Sequence, residues 1–272
     1  MNILKAFLFT SLLIGIEVTI SLSVGYFIDI GNFKLSSIRH YIGVIGIVPY
    51  ILSFSIILFL IFKMKIRWNK GVEKVKNTDV NTFLYLLILS VGLFFYDRPS
   101  FDFTKILDTI NNIPIEPYVQ KERNIISLFY KSISVLVVAP IFEELFFRKY
   151  IFVELQKKYP YQISILISSI CFSLIHLPSY RNLIPTFLFG VICCIIYTKT
   201  RNIIYPIFLH FLLNLTWIIS VTYGEKYYQW IFGLQFNLIY WSLVILGVVI
   251  VIFALRKITI ANPYVPTRPA GQ

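Results

Sequence analysis

Long apolar runs, more than any single motif, limit what this chain can fold into. They fall near 3–28, 40–62, 81–96, 125–155, 161–177, 184–198, 203–222 and 230–255. A helix needs about 20 predominantly apolar residues to cross a ~30 Å hydrocarbon core, and no stretch between these runs is long enough to fold alone. The expectation is an all-α, polytopic transmembrane helical bundle of about eight helices, without a soluble domain of any size. Composition agrees: 57% of the 272 residues are hydrophobic and 14% are charged, against roughly 45–50% and about 25% in soluble domains. The first run follows Lys5 and ends among small residues, as a secretory leader does. It is too long for one, carries Glu17 and lacks a small-x-small cleavage site, so it reads as a retained first helix. The largest loop, 97–123, holds Pro99, Pro114 and Pro117 and reads as an ordered cap or short interfacial helix. The expected organisation is 1–124 as N-terminal helices and outer loop, 125–222 as a core of four consecutive helices, 223–255 as the last transmembrane helix, and 256–272 as a basic, disordered tail.

The formal net charge is +12, which could suggest a nucleic-acid partner. Its placement argues otherwise, because Lys and Arg gather in short segments between apolar runs and no separate basic domain exists to bind nucleic acid. With the N-terminus inside, Lys63, Lys65, Arg67, Lys70, Lys74, Lys76, Lys157, Lys158, Lys199 and Arg201 all fall on the inner side, so both termini are expected in the cytoplasm. Usage rich in Ile, Lys, Asn and Phe suggests a prokaryote and its plasma membrane. Cys171, Cys193 and Cys194 lie inside apolar runs without metal-finger spacing and read as buried free thiols. His40, beside Arg39, reads as interfacial. Glu17 is an intramembrane acid for which Lys131 is a candidate partner.

Charged groups in a bilayer demand a partner or a task, and three helices of the second half carry them at helical spacing. In the first, Glu143 and Glu144 are adjacent and so lie about 100° apart around the helix. Glu144 can pair with Arg148 one turn later, which leaves Glu143 another face on which to accept a proton from water. Pro140 can open the helix just before the pair. In the second, Phe172 precedes His176 by one turn and could pack on its ring. In the third, His210 and Asn214 share a face. Taken singly, each has a plain reading: a salt bridge at a helix end, an interfacial histidine, polar contacts between helices. Together they supply a carboxylate, two imidazoles and a carboxamide, the parts needed to activate water and stabilise an oxyanion. They are also plausible metal ligands.

Glu143-Glu144-x-x-x-Arg148, Phe172-x-x-x-His176 and His210-x-x-x-Asn214, in that order on apolar helices, resemble the three-motif signature of the CAAX protease and bacteriocin-processing family. This is also called the Abi family and includes the type II CAAX prenyl endopeptidases. The resemblance covers roughly 125–222 and makes that stretch the expected catalytic core. It implies an intramembrane endopeptidase acting on a membrane-associated or lipidated peptide or protein, with membrane lipid around it. Glu143 and His176 would activate water, His210 and Asn214 would bind the oxyanion, Glu144 and Arg148 would position the first group, and Phe172 would contact substrate. The family is often described as metalloproteases; a divalent ion such as zinc would fall to Glu143, His176 and His210, although a glutamate-activated water needs none. An immunity or regulatory factor of the same fold, and a transporter, are the competing readings. One difficulty stands out: a depth count at ~1.5 Å per residue puts His176 about 10 Å further outward than Glu143 and His210. A single site therefore requires that 177–184 dip below the outer surface and line a cavity.

Overall fold

In lipid every backbone polar group must be satisfied internally, and all regular structure among the described residues is helical. The computed structural model describes residues 1–31, 42–63, 79–116, 118, 119, 124–177 and 179–262. Helices α1 (Ile3–Ile30), α2 (Ile42–Lys63), α3 (Val80–Tyr96) and α4 (Arg98–Ile110) form the first half. Helix α5 (Ile125–Gln156) is followed by α6 (Tyr161–Leu174), α7 (Tyr180–Thr200) and α8 (Ile204–Tyr223). Helices α9 (Glu225–Gly233) and α10 (Leu238–Ala261) complete the chain. Six spans are long and apolar enough to cross a bilayer, and two shorter apolar helices, Gly46–Leu60 and Tyr161–Leu174, accompany them. The polytopic bundle expected from the apolar runs is the observed architecture. His40, the 64–78 segment with its cations, and 263–272 of the expected tail lie outside the described residues.

Polar residues set the boundaries. Asp79, Asn124 and Asn237 each accept hydrogen bonds from the first free backbone N–H groups of α3, α5 and α10, which would otherwise be orphaned. Helix α7 ends at Arg201, whose φ of 52° is left-handed. The run expected from 230 to 255 is two helices. Gln235 and Phe236 adopt φ of 46° and 54°, and the Asn237 cap then starts α10 afresh. This last helix continues to Ala261, past the expected start of the tail. The 97–123 loop contains α4, which follows α3 after Asp97 alone.

Two close crossings fix the bundle. Helices α3 and α10 meet at Gly92 and Gly247, where a Cβ on Gly247 would lie 2.7 Å from the Tyr96 nitrogen and 2.8 Å from the Gly92 oxygen. Without a hydrophobic drive between helices in lipid, such backbone approach supplies the packing. Gly190 of α7 similarly faces Ser169 of α6. Helix α5 alternates winding: π-helical stretches at Ser134–Val138 and Leu145–Phe152 flank the α-helical Ala139–Glu144. Pro140 has no N–H and crowds the preceding turn. The wider winding before it accommodates the ring, and π-turns recur at functional positions.

Candidate active site

Glu143 and Glu144 sit between the two π-stretches of α5, buried at 4% and 0% exposure. Their side chains diverge as the 100° step requires. Glu144 forms an ion pair with Arg148 one turn on, Oε2 to Nε 3.1 Å. Its other oxygen lies 3.1 Å from His210 Nδ1. A carboxylate held by a guanidinium only accepts, so Nδ1 carries the hydrogen in this contact. That leaves His210 Nε2 facing Glu143, 3.9 Å from Oε2. Glu143 Oε1 accepts a hydrogen bond from the Tyr50 hydroxyl of α2. Its Oε2 is buried and has no hydrogen-bond partner among the described residues.

Phe172 braces this cluster. Its ring lies 4.0 Å beneath the Arg148 guanidinium, 5.1 Å from the His176 ring and 6.0 Å from the His210 ring. At 1% exposure it touches the cavity only at its edge. Phe189 of α7 packs on the other side of His210, at 5.0 Å. The His176 ring is fixed by Nδ1 lying 3.0 Å from the Phe172 carbonyl. A carbonyl accepts only, so Nδ1 is the donor and Nε2 keeps its lone pair. Asn214 donates from Nδ2 to the Val135 carbonyl, 2.7 Å away in the first π-stretch.

Glu143, Phe172, His176, His210 and Asn214 line one cavity of about 720 Å³. His176 shares this cavity with Glu143 and His210, so the separation expected from the depth count is absent. Helix α6 has 14 residues and is therefore roughly 21 Å long, too short for a ~30 Å core. Its end lies within the bundle, and His176 occupies the turn that follows. Arg181 and Asn182, on the first turn of α7, line the same cavity; Pro178 lies outside the described residues. Glu144 and Arg148 stand behind this wall. The structure thus brings all seven sequence-predicted positions into one neighbourhood.

The ligand set Glu143, His176 and His210 fits a metal poorly. The ground is spacing: among the described residues no three His, Cys, Asp or Glu side chains gather closely enough to hold an ion, whereas the engaged Nδ1 of each histidine would leave its Nε2 able to ligate. Sequence reasoning missed Tyr50 and Phe189. Tyr50 follows Pro49 in the middle of an apolar helix, the one local hint that it differs from an interfacial tyrosine. Glu17, expected beside Lys131, lies close enough to Glu143 and Tyr50 to act on both electrostatically; the Lys131 ammonium sits 4.9 Å over the Trp217 ring. Also missed was a second buried ion pair in the cavity wall, Arg98 with Asp102.

Residues 125–216 match the family model described as Type II CAAX prenyl endopeptidase Rce1-like. The chain is 26% identical over 167 residues to the UPF0177 protein YxdF of Lactococcus lactis subsp. lactis (strain IL1403), covering 59% of this chain and 89% of YxdF. It is 32% identical over 117 residues to a Bacillus subtilis (strain 168) protein named "Putative membrane peptidase YdiL", covering 43% of this chain and 41% of that protein. The match therefore spans about two fifths of YdiL's length. No solved structure matches. Every site position from Glu143 to Asn214 falls within the matched segment, and over 125–216 this integral membrane protein is similar to the Rce1-like type II CAAX prenyl endopeptidases.

Proposed function

We propose that the protein is an intramembrane endopeptidase that hydrolyses a peptide bond with water activated at Glu143 and His176. The observation that carries this reading is Glu143 Oε2, a buried carboxylate oxygen without a partner among the described residues, in a cavity that also holds His176, His210 and Asn214. Leaving a buried acceptor unsatisfied is costly, and a cavity that gathers such a group with other polar side chains is suited to bind water.

In this mechanism Oε2 takes one proton from a bound water while the lone pair of His176 Nε2 accepts the other hydrogen and aims the oxygen. The water oxygen attacks the scissile carbonyl carbon, and the carbonyl π bond becomes an oxyanion. The free N–H of the Asn214 amide and a protonated His210 Nε2 donate to that oxyanion. Glu144 supports this by accepting from Nδ1, so it stabilises the imidazolium, and Arg148 holds Glu144. When the intermediate collapses, the C–N bond breaks and Glu143 returns its proton to the leaving amine. A carboxylic acid and an amine are released and the glutamate is regenerated; the acid then passes its proton to the amine or to water. No step needs a metal ion.

The substrate in this reading is a peptide or lipidated protein held at the membrane, because the site is walled by helices that span it. The enzyme is placed in a prokaryotic plasma membrane with both termini cytoplasmic, on the strength of the cation bias. The test is cleavage of a quenched lipidated-peptide panel by the parent and by Glu143→Ala, with and without chelator. Loss of cleavage in the variant, with chelator indifferent, is the expected result. Equal cleavage by both would remove Glu143 from the chemistry and favour the regulatory-factor reading; loss on chelation would return a metal to the site.

A further inference from the structure

The two oxygens of Glu143 are not equivalent, and the difference comes from outside the matched segment. Oε1 accepts from the Tyr50 hydroxyl, while Oε2 is buried without a hydrogen-bond partner among the described residues, on a side chain that lines the cavity. The final torsion of a glutamate is broad and roughly two-fold, so a carboxylate without a fixed partner exchanges its oxygens and its aim. The usual fixed partner for a buried carboxylate is a cation, but here Arg148 is held by the neighbouring Glu144. A neutral donor is therefore what holds Glu143.

Tyr50 is itself held firmly. It directly follows Pro49, whose missing N–H leaves a gap in the backbone ladder of α2. Its ring packs on Phe54 at 4.8 Å. The Phe54 ring, fully buried, lies 5.8 Å from Phe142, just before the glutamate pair, and 6.0 Å from Phe146, two residues after it. This aromatic group locks α2 to α5 at the height of Glu143. We propose that Tyr50 is a positioning residue, whose hydroxyl occupies Oε1 and so assigns Oε2 as the oxygen that takes the proton from water. The inference rests on the endopeptidase reading above and extends its site to the N-terminal helices, beyond residues 125–216.

The test uses the full chain in lipid nanodiscs, comparing the parent with Tyr50→Phe, Tyr50→Leu and Glu143→Gln. Infrared spectra identify the Glu143 carboxyl band as the one lost in Glu143→Gln, and this reading needs no substrate. Tyr50→Phe keeps the ring and is expected to shift that band with little change in thermal midpoint. On the quenched lipidated-peptide panel it is expected to lower kcat about 10- to 100-fold, the scale of a misaimed reacting group. KM should stay within about twofold, since ground-state binding is untouched. An unshifted band overturns the proposal. So does parent-like turnover in Tyr50→Phe alongside its loss in Tyr50→Leu, which would make the tyrosine a packing residue only. Parent-like turnover in Glu143→Gln would instead overturn the role of Glu143, an outcome separable because the infrared shift still reports the hydrogen bond.

Discussion

Two buried acid–arginine pairs line or back the same cavity, and both have i,i+4 spacing. On α4, Arg98 pairs with Asp102. Arg98 donates from Nε at 3.0 Å, Tyr240 of α10 adds its hydroxyl at 3.0 Å, and the guanidinium lies over the Tyr228 ring at 5.1 Å. The carboxylate of Asp102 is engaged at both oxygens by neighbours on two helices. On α5, Glu144 and Arg148 form an equally buried pair, but they stand beside a second carboxylate with one oxygen left open. A satisfied buried network rigidifies, whereas a partly satisfied one is costly and persists where it has a task. On the proposed reading the α4 cluster serves structure and the α5 cluster chemistry, although both pairs have the same spacing, with acid and arginine in opposite order.

Substitutions can break this contrast, starting with the largest effect. Glu143→Gln keeps the shape of the side chain and removes the proposed base, so cleavage of the peptide panel should fall by about 10³-fold or more, with a thermal midpoint close to the parent's. A large drop in stability with activity per folded molecule retained would reverse the assignment of the two clusters. Asn214→Ala removes a proposed oxyanion donor and should cost about 10²-fold in kcat, read against KM in the same assay. On the other side of the comparison, Asp102→Ala strands the Arg98 guanidinium and should destabilise by about 3–5 kcal/mol, measured by thermal unfolding in detergent. Tyr240→Phe, which lies outside the cavity lining, should cost only about 1 kcal/mol and leave kcat unchanged; a kcat loss there would tie the α4 cluster to catalysis. Chelation should have the smallest effect, leaving turnover of the parent where it was.

Much of the site was legible because helical periodicity projects it: Glu144 and Arg148, and His210 and Asn214, face together by spacing alone. Phe172 and His176 obeyed the same rule. Tyr50 did not, since its contact with Glu143 joins residues 93 positions apart and no local period encodes it. Nor did the meeting of His176 with Glu143 in one cavity follow from counting residues, because it depends on how α6 is placed against α5 and α8. The break at Gln235 and Phe236 was hidden inside an apolar run, where hydropathy does not distinguish a turn packed among helices from continued helix.

By itself the sequence determined that the chain crosses a membrane many times, since apolar runs of this length can satisfy their backbones in lipid only as helices. It also determined which polar groups share a helix face, because that depends on local geometry. Only the tertiary structure decided which glutamate oxygen stays open, which arginine pair is fully satisfied, and that α2 reaches the site. Those outcomes follow from contacts between helices distant in sequence, at crossings such as Gly92 with Gly247 and Phe54 with Phe142 and Phe146, where close packing sets distances that no linear pattern carries.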